Sequence, residues 1–214
     1  MTDDRKSYHR ESPERRKDDL IQAALDIIAS SGPEAATVRA IAARANVTQS
    51  LIRHYFATKE ELISQAFEHH MSEMVKHAKD QARILGGSAH EQLAMYIATS
   101  LRPPVKSSRA VAVWAAFLQM AGRDARLNDV HRRTYLLYRE TTETLIRAVL
   151  RQKGDQVPDH RLRRLATTCH ALIDGFWIEA SMLPEEFPPD DEMISDCLDA
   201  IGKILGVELR NTQP

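Results

Sequence analysis

Cysteine is scarce in this chain of 214 residues: Cys169 and Cys197 stand far apart, without metal-ligand spacing. That excludes a disulfide framework and a zinc ribbon, and a reducing cytoplasm fits. Glycine and proline are sparse as well, at eight and nine. Alternating β-branched runs are missing, so the two-residue period of strands has no support. No segment approaches the roughly 18 to 20 consecutive apolar residues that a membrane span needs, and the charged N-terminal stretch lacks the apolar core of a secretory signal. Charge of one sign is also lacking. The 29 Lys and Arg against 30 Asp and Glu give a net charge of -1, so any nucleic-acid site must be local. A Gly-rich phosphate loop, a nucleophile elbow and metal-ligand spacings are all absent, which argues against an enzyme and gives no reason to expect a cofactor or metal.

What is present is helical periodicity. Leu20, Ile21, Ala24, Ile27 and Ile28 step by three and four towards a stop at Gly32-Pro33. The polar residues 1–13, with Ser12-Pro13, read as a flexible arm. Thr37 precedes Val38, Ile41, Ala42 and Ala45, a short amphipathic helix with a hydroxyl placed to cap it. Asn46 tolerates the left-handed backbone that ends it, and Thr48 caps a brief helix over 49–55. Two short helices joined by a tight turn form a helix-turn-helix. Further helices are expected over 58–85 (a connector), 89–102, 108–122, 128–152, 159–183 and 190–206. The fold class is therefore all-α with about nine helices: a three-helix helix-turn-helix domain over 14–57, then a larger helical bundle over 58–214.

From Ala35 to Lys59 the sequence holds no carboxylate, while carrying Arg39, Arg44, Arg53 and Lys59; Arg15, Arg16 and Lys17 lie just upstream. A helix-turn-helix without acidic side chains suits a surface that faces phosphates, because each unpaired acid would repel DNA. A helical adaptor that binds another protein is the alternative, but an adaptor has no reason to exclude acids there.

Thr37-Val38, Ile41-Ala42, Ala45, Val47-Thr48, His54-Tyr55-Phe56, Lys59 and Leu62 closely resemble the DNA-binding pattern of the TetR family of bacterial repressors. Three positions depart from it: Asn46 and Ser50, where Gly is usual or frequent, and Arg53, where an aromatic is common. The last two alter the reading surface, so an operator sequence cannot be borrowed from relatives. The resemblance implies that Thr37 touches a phosphate as it caps its helix, and that Tyr55 and Lys59 hold the backbone, with Arg39 adding charge. Thr48, Gln49, Ser50 and Arg53 would face the major groove with His54 alongside; Gln suits adenine and Arg guanine. Val47, Leu51, Ile52 and Phe56 are core.

In the second half, residues near Val111–Phe117 and the run Ala171-Leu172-Ile173-Asp174-Gly175-Phe176-Trp177 are similar to the subgroup of that family that includes choline-responsive, BetI-type repressors. The resemblance implies a ligand-binding and dimerisation domain, and a cytoplasmic repressor that leaves a near-palindromic operator when a small molecule binds; activation differs only by operator position. Asp174 falls in an apolar helical stretch and needs a partner, either an internal Arg or amide or a cationic ligand. Tyr96, Trp114, Phe117, Tyr135, Tyr138 and Trp177 would supply aromatic faces for a choline-like or polyamine-like cation; the alternative is that they are ordinary core. His69, His70 and His77 read as solvated faces. The apolar stripes of 159–183 (Leu165, Leu172, Ile173, Phe176, Trp177) and 190–206 (Ile194, Leu198, Ile201, Leu205) are expected to dock in part onto a second copy as a four-helix homodimer interface. The ligand is expected to tilt the connector so that the two reading heads no longer match the groove spacing.

Overall fold

The computed structural model describes residues 12–210. Residues 1–11 of the expected arm lie outside them, and the rest of that arm is ordered: Ser12 Oγ accepts from Arg15 N at 3.3 Å and Pro13 opens helix α1 (Pro13–Ser31). The helices that follow are α2 (Val38–Arg44), α3 (Gln49–Tyr55), α4 (Lys59–Leu85), α5 (Ala89–Ser100), α6 (Ser108–Ala121), α7 (Ala125–Lys153), α8 (Asp159–Met182) and α9 (Asp190–Leu205). A short 3-10 turn, Pro33–Ala35, lies between α1 and α2. The described residues hold no strand. None of their helices is long and apolar enough to cross a membrane.

Two compact units divide at Ala66 and Phe67, inside α4. In the first, Leu20, Ala24, Leu25 and Ile28 of α1, Ile41 of α2, Ile52 of α3, Phe56 and Leu62 are buried. The side-chain caps are local. Thr37 Oγ1 accepts from Ala40 N at 3.2 Å and Thr48 Oγ1 from Leu51 N at 3.4 Å, each satisfying an amide the helix start leaves free. Between α2 and α3, Asn46 stands at φ 53, the left-handed conformation in which Asn is little strained. Val47 N then reaches back to Ala42 O at 2.9 Å and closes the turn.

In the second unit α7 and α8 pack together, with α5 against α7 and α9 against α8. Leu93, Ile97, Ile146, Val149, Leu162 and Ile173 share one core with Ile194, Leu198, Ile201 and Leu205. α7 begins a turn earlier than its apolar pattern predicts, because Asp124 Oδ1 accepts from Arg126 N and Leu127 N at 2.8 and 3.2 Å. Gly202 is required by packing: a Cβ there would meet Val207 O at 2.7 Å, where the chain folds back past α9. The apolar stripe of α9 is buried in this core, as are Ile173 and Trp177 of α8. Leu165, Leu172 and Phe176 remain half-buried on α8. Met182, Leu183 and Ile204 are 64, 54 and 38% exposed.

Candidate functional site

The first unit presents a polar face around α3. Thr37, Arg39, Thr48, Gln49, Ser50, Arg53 and His54 are exposed, and Tyr55 and Lys59 half-buried. Thr48 Oγ1 lies 2.9 Å from Ser50 Oγ, so two small hydroxyls begin α3 as one group. Lys59 opens α4, whose first turn is capped by Thr58 Oγ1 accepting from Glu61 N at 3.1 Å. Lys59 thus brings a positive charge to a helix N-terminus that it shares with Glu60 and with Glu61, whose Oε2 accepts from Ala57 N at 2.9 Å. Ile52 and Phe56 are buried core, while Val47 and Leu51 are only half-buried.

Not every basic residue of this region is available for phosphate. Arg44 Nη2 pairs with Asp26 Oδ2 of α1 at 3.1 Å. The Lys17 ammonium lies over the Phe56 ring, 5.7 Å from its centroid. Arg39, Arg53 and Lys59 make no ion pair among the described residues.

The second unit holds a cavity of about 190 Å³ among α4, α6, α7 and α8. A cavity of roughly 150 Å³ already admits benzene, so this one takes a compact molecule. Four of the expected ligand residues line it: Trp114, Tyr138, Asp174 and Trp177. Tyr135, expected as an aromatic face, lines it too. Tyr96 and Phe117 do not; both are fully buried behind the wall, Tyr96 near Tyr138 at 5.9 Å between centroids and Phe117 stacked on Phe67 at 4.5 Å. Helical periodicity cannot separate a ring that faces a cavity from one that faces the core beside it.

The partner of Asp174 is neither an Arg nor an amide. His170 Nε2, one turn earlier on α8, lies 3.2 Å from Asp174 Oδ2, while the Asp174 side chain stays 40% exposed. The spacing i, i+4 between 170 and 174 is the signal in the sequence that points to this pair. His170 is buried, stacked on Tyr135 at 4.7 Å and edge-on to Tyr138 at 3.9 Å. His131 lines the same cavity, and with Thr134, Tyr135 and Tyr138 it forms one face of α7 at i, i+3, i+4 and i+7. Met71, Met74 and Val75 of α4 add to the wall, with Ser100 of α5 and Val105. Trp177 contributes a face only, because its Nε1 donates to Val105 O at 2.9 Å. Burial and the Asp174 charge both raise the Tyr135 and Tyr138 phenols above their ordinary range, so they stay neutral donors.

His70 departs from the solvated face expected of it. Its Nε2 is buried without a hydrogen-bond partner, and burial together with the Arg109 charge lowers its pKa to about 4. No cluster among the described residues is suited to a metal ion. Burial raises both thiols, to about 11 for Cys169 and about 12 for Cys197, and leaves them unreactive.

Residues 20–66 match the model for bacterial regulatory proteins of the tetR family, and residues 89–206 the model for the C-terminal part of BetI-type transcriptional repressors. An HTH-type transcriptional regulator BetI from Vibrio atlanticus is 26% identical over 190 residues, covering 87% of this chain and 92% of its own. The fold is similar to that of a transcriptional regulator from Pseudomonas aeruginosa PAO1, with a TM-score of 0.82 at 25% identity over 92% of this chain and 93% of that one. It is also similar to a regulator from Saccharomonospora viridis solved in complex with choline, with a TM-score of 0.71 at 20% identity over 88% and 96% of the two chains.

Proposed function

Since the chain belongs to the tetR family of bacterial regulatory proteins and carries the BetI-type repressor C-terminal region, we propose that it grips a near-palindromic operator as a cytoplasmic homodimer and releases it when a compact monocation enters the cavity beside Asp174. That it is a ligand-responsive DNA-binding repressor and not an enzyme follows from the family. Two reading heads at a fixed separation suit half-sites one helical turn, ~34 to 36 Å, apart. On each head Gln49, Ser50 and Arg53 would read bases, while Thr37, Tyr55 and Lys59 hold phosphates.

The observation that carries the ligand reading is Asp174, the one carboxylate lining the cavity, set among the rings of Trp114, Tyr135, Tyr138 and Trp177. Aromatic faces around one negative charge bind an ammonium that has few hydrogen bonds to offer. A polyamine would bring several charges to a single carboxylate, leaving the others desolvated and unpaired. Of the two kinds of cation, the choline-like one therefore fits better. The similar regulator from Saccharomonospora viridis, crystallised with choline, supports that choice.

Calorimetry with choline and spermidine tests the reading, together with operator retention in a gel shift. Choline is expected to bind and to release the operator, spermidine to do neither, and Asp174→Asn to lose choline while keeping operator affinity. Equal response of Asp174→Asn and the unaltered protein to choline, or a response to spermidine alone, would remove the monocation reading.

A further inference from the structure

His170 Nε2 stands 3.2 Å from Asp174 Oδ2, and the imidazole is held there by rings on two sides. We propose that His170 is a specificity-determining residue of the cavity: its neutral ring leaves the Asp174 carboxylate as a net negative charge for a cation, and its protonated ring neutralises that charge, so cation and proton compete. The proposal rests on the monocation reading above and adds its regulation.

The chemistry follows from the two ring nitrogens. With Nε2 3.2 Å from Asp174 Oδ2, a neutral ring adds no charge and the pair keeps a full negative charge. A second proton must go to Nδ1, which is buried without a hydrogen-bond partner. An N–H left unpaired there has a cost, so the protonated ring depends on the undiluted Asp174 charge at its other nitrogen. A ligand cation that draws on the same carboxylate removes that support and adds repulsion. The proton therefore leaves as the cation arrives, and by reciprocity lower pH weakens the cation. Imidazole is the side chain that changes charge between about pH 5 and 8.

The other titratable groups facing this pair are few. α7 brings His131, Tyr135 and Tyr138, with Arg139 acting on Tyr135 while its Nε lies 3.6 Å from Glu143. Tyr96 of α5 stands behind Tyr138. Burial raises all three phenols above their ordinary range, so they carry no charge where an imidazole does. α4 and α6 line the cavity with Met71, Met74, Val75, Trp114 and Leu118, none of which titrates. Among the described residues that line the cavity, His131 is thus the other imidazole that could contribute a proton linkage.

The test is choline binding by calorimetry from about pH 5.5 to 8.5 for the unaltered protein, His170→Gln and His131→Gln. The unaltered protein and His131→Gln are expected to lose at least about tenfold in affinity towards the acid end, and to release protons on binding within that range, seen as a dependence of the heat on buffer. His170→Gln should bind choline with less than about a threefold change across the range. His170→Asn serves if the Gln variant does not fold. A flat profile in the unaltered protein overturns the proposal and leaves the monocation reading standing, as does a slope that persists in the His170 variants or vanishes in His131→Gln. Absence of choline binding at every pH overturns both.

Discussion

Phe67, the first residue of the second unit, stacks on Phe117 of α6 with ring centroids 4.5 Å apart and planes inclined by 25°. Phe117 in turn meets His131 edge-on at 5.6 Å, His131 lies 5.7 Å from Tyr135, and Tyr135 stacks on His170. Close by, Arg133 of α7 holds Glu68 of α4 at 3.2 Å. A run of neighbouring rings thus joins the cavity wall to α4, the helix that opens with Lys59. Proximity alone is not coupling, which needs a measured free energy between sites. Phe117→Leu keeps the site apolar at a cost of ~1.5 kcal/mol or less, whereas Phe117→Ala should cost ~3 to 5 kcal/mol. With Phe117→Leu, choline is expected to bind within a few-fold of normal while operator release loses most of a coupling of ~1 to 3 kcal/mol. Unchanged release in a gel shift with choline would show that the rings are packing only.

On the DNA face, Lys59→Ala should weaken binding to all sequences alike and flatten the dependence on salt, because a phosphate-bound lysine carries no base information. Arg53→Ala and Gln49→Ala should change the preference between operators, at ~1 to 3 kcal/mol for each bidentate hydrogen-bonded pair with a base. Fluorescence anisotropy over a salt series, with matched and altered operators, separates the two. A uniform loss in all three variants would move Arg53 and Gln49 to the backbone-holding group.

Asn46 at φ 53 sets the turn between α2 and α3. Asn46→Gly is expected to leave thermal stability within a few tenths of a kcal/mol, and Asn46→Ala to cost ~1 kcal/mol, because only the latter places a Cβ in the left-handed region without the local bonding Asn offers. Equal melting temperatures for the two variants would mean that the turn relaxes.

Gly175 stands exposed in the middle of α8, where a Cβ would meet nothing within 4 Å. Glycine in a helix interior costs roughly 0.5 to 1 kcal/mol relative to Ala, with no gain inside this chain to offset it. In the homodimer proposed above, close approach of a second copy at this face would supply the reason. Light scattering is expected to give twice 24.2 kDa for the protein and about one copy's mass for Gly175→Arg, with helicity intact. A Gly175→Arg protein that stays dimeric would place the interface elsewhere.

His70 carries the opposite kind of pH dependence, in folding. Its pKa is lowered to about 4 by burial and by Arg109, so the unfolded chain takes up the proton first. Stability is therefore complete above the ordinary imidazole value near 6.5 and falls as pH drops towards about 4, by up to about 3 kcal/mol. Urea unfolding of the protein and of His70→Gln at about pH 7.5 and 4.5 checks this. The variant should lose distinctly less between the two, and an equal loss would assign the acid sensitivity to other groups.

The helix-turn-helix was legible from the amino-acid sequence because its determinants are short-range. Thr37 caps an amide three residues on, Thr48 does the same, and Asn46 needs only its own backbone preference. The helix pattern of the second unit was readable for the same reason, with errors of a turn where a cap such as Asp124 lay outside the apolar period. Tertiary packing decided the rest. It paired Arg44 with Asp26, 18 residues away, and took it from the phosphate-facing set. It drew Ile194, Leu198, Ile201 and Leu205 into the chain's own core. It also turned Trp114, Tyr138 and Trp177 to a cavity while closing Tyr96 and Phe117 behind it, although all five recur at helical spacing. A residue's local neighbours set its helix and its cap, but which face of that helix meets a cavity, a core or a charge depends on helices distant in the chain.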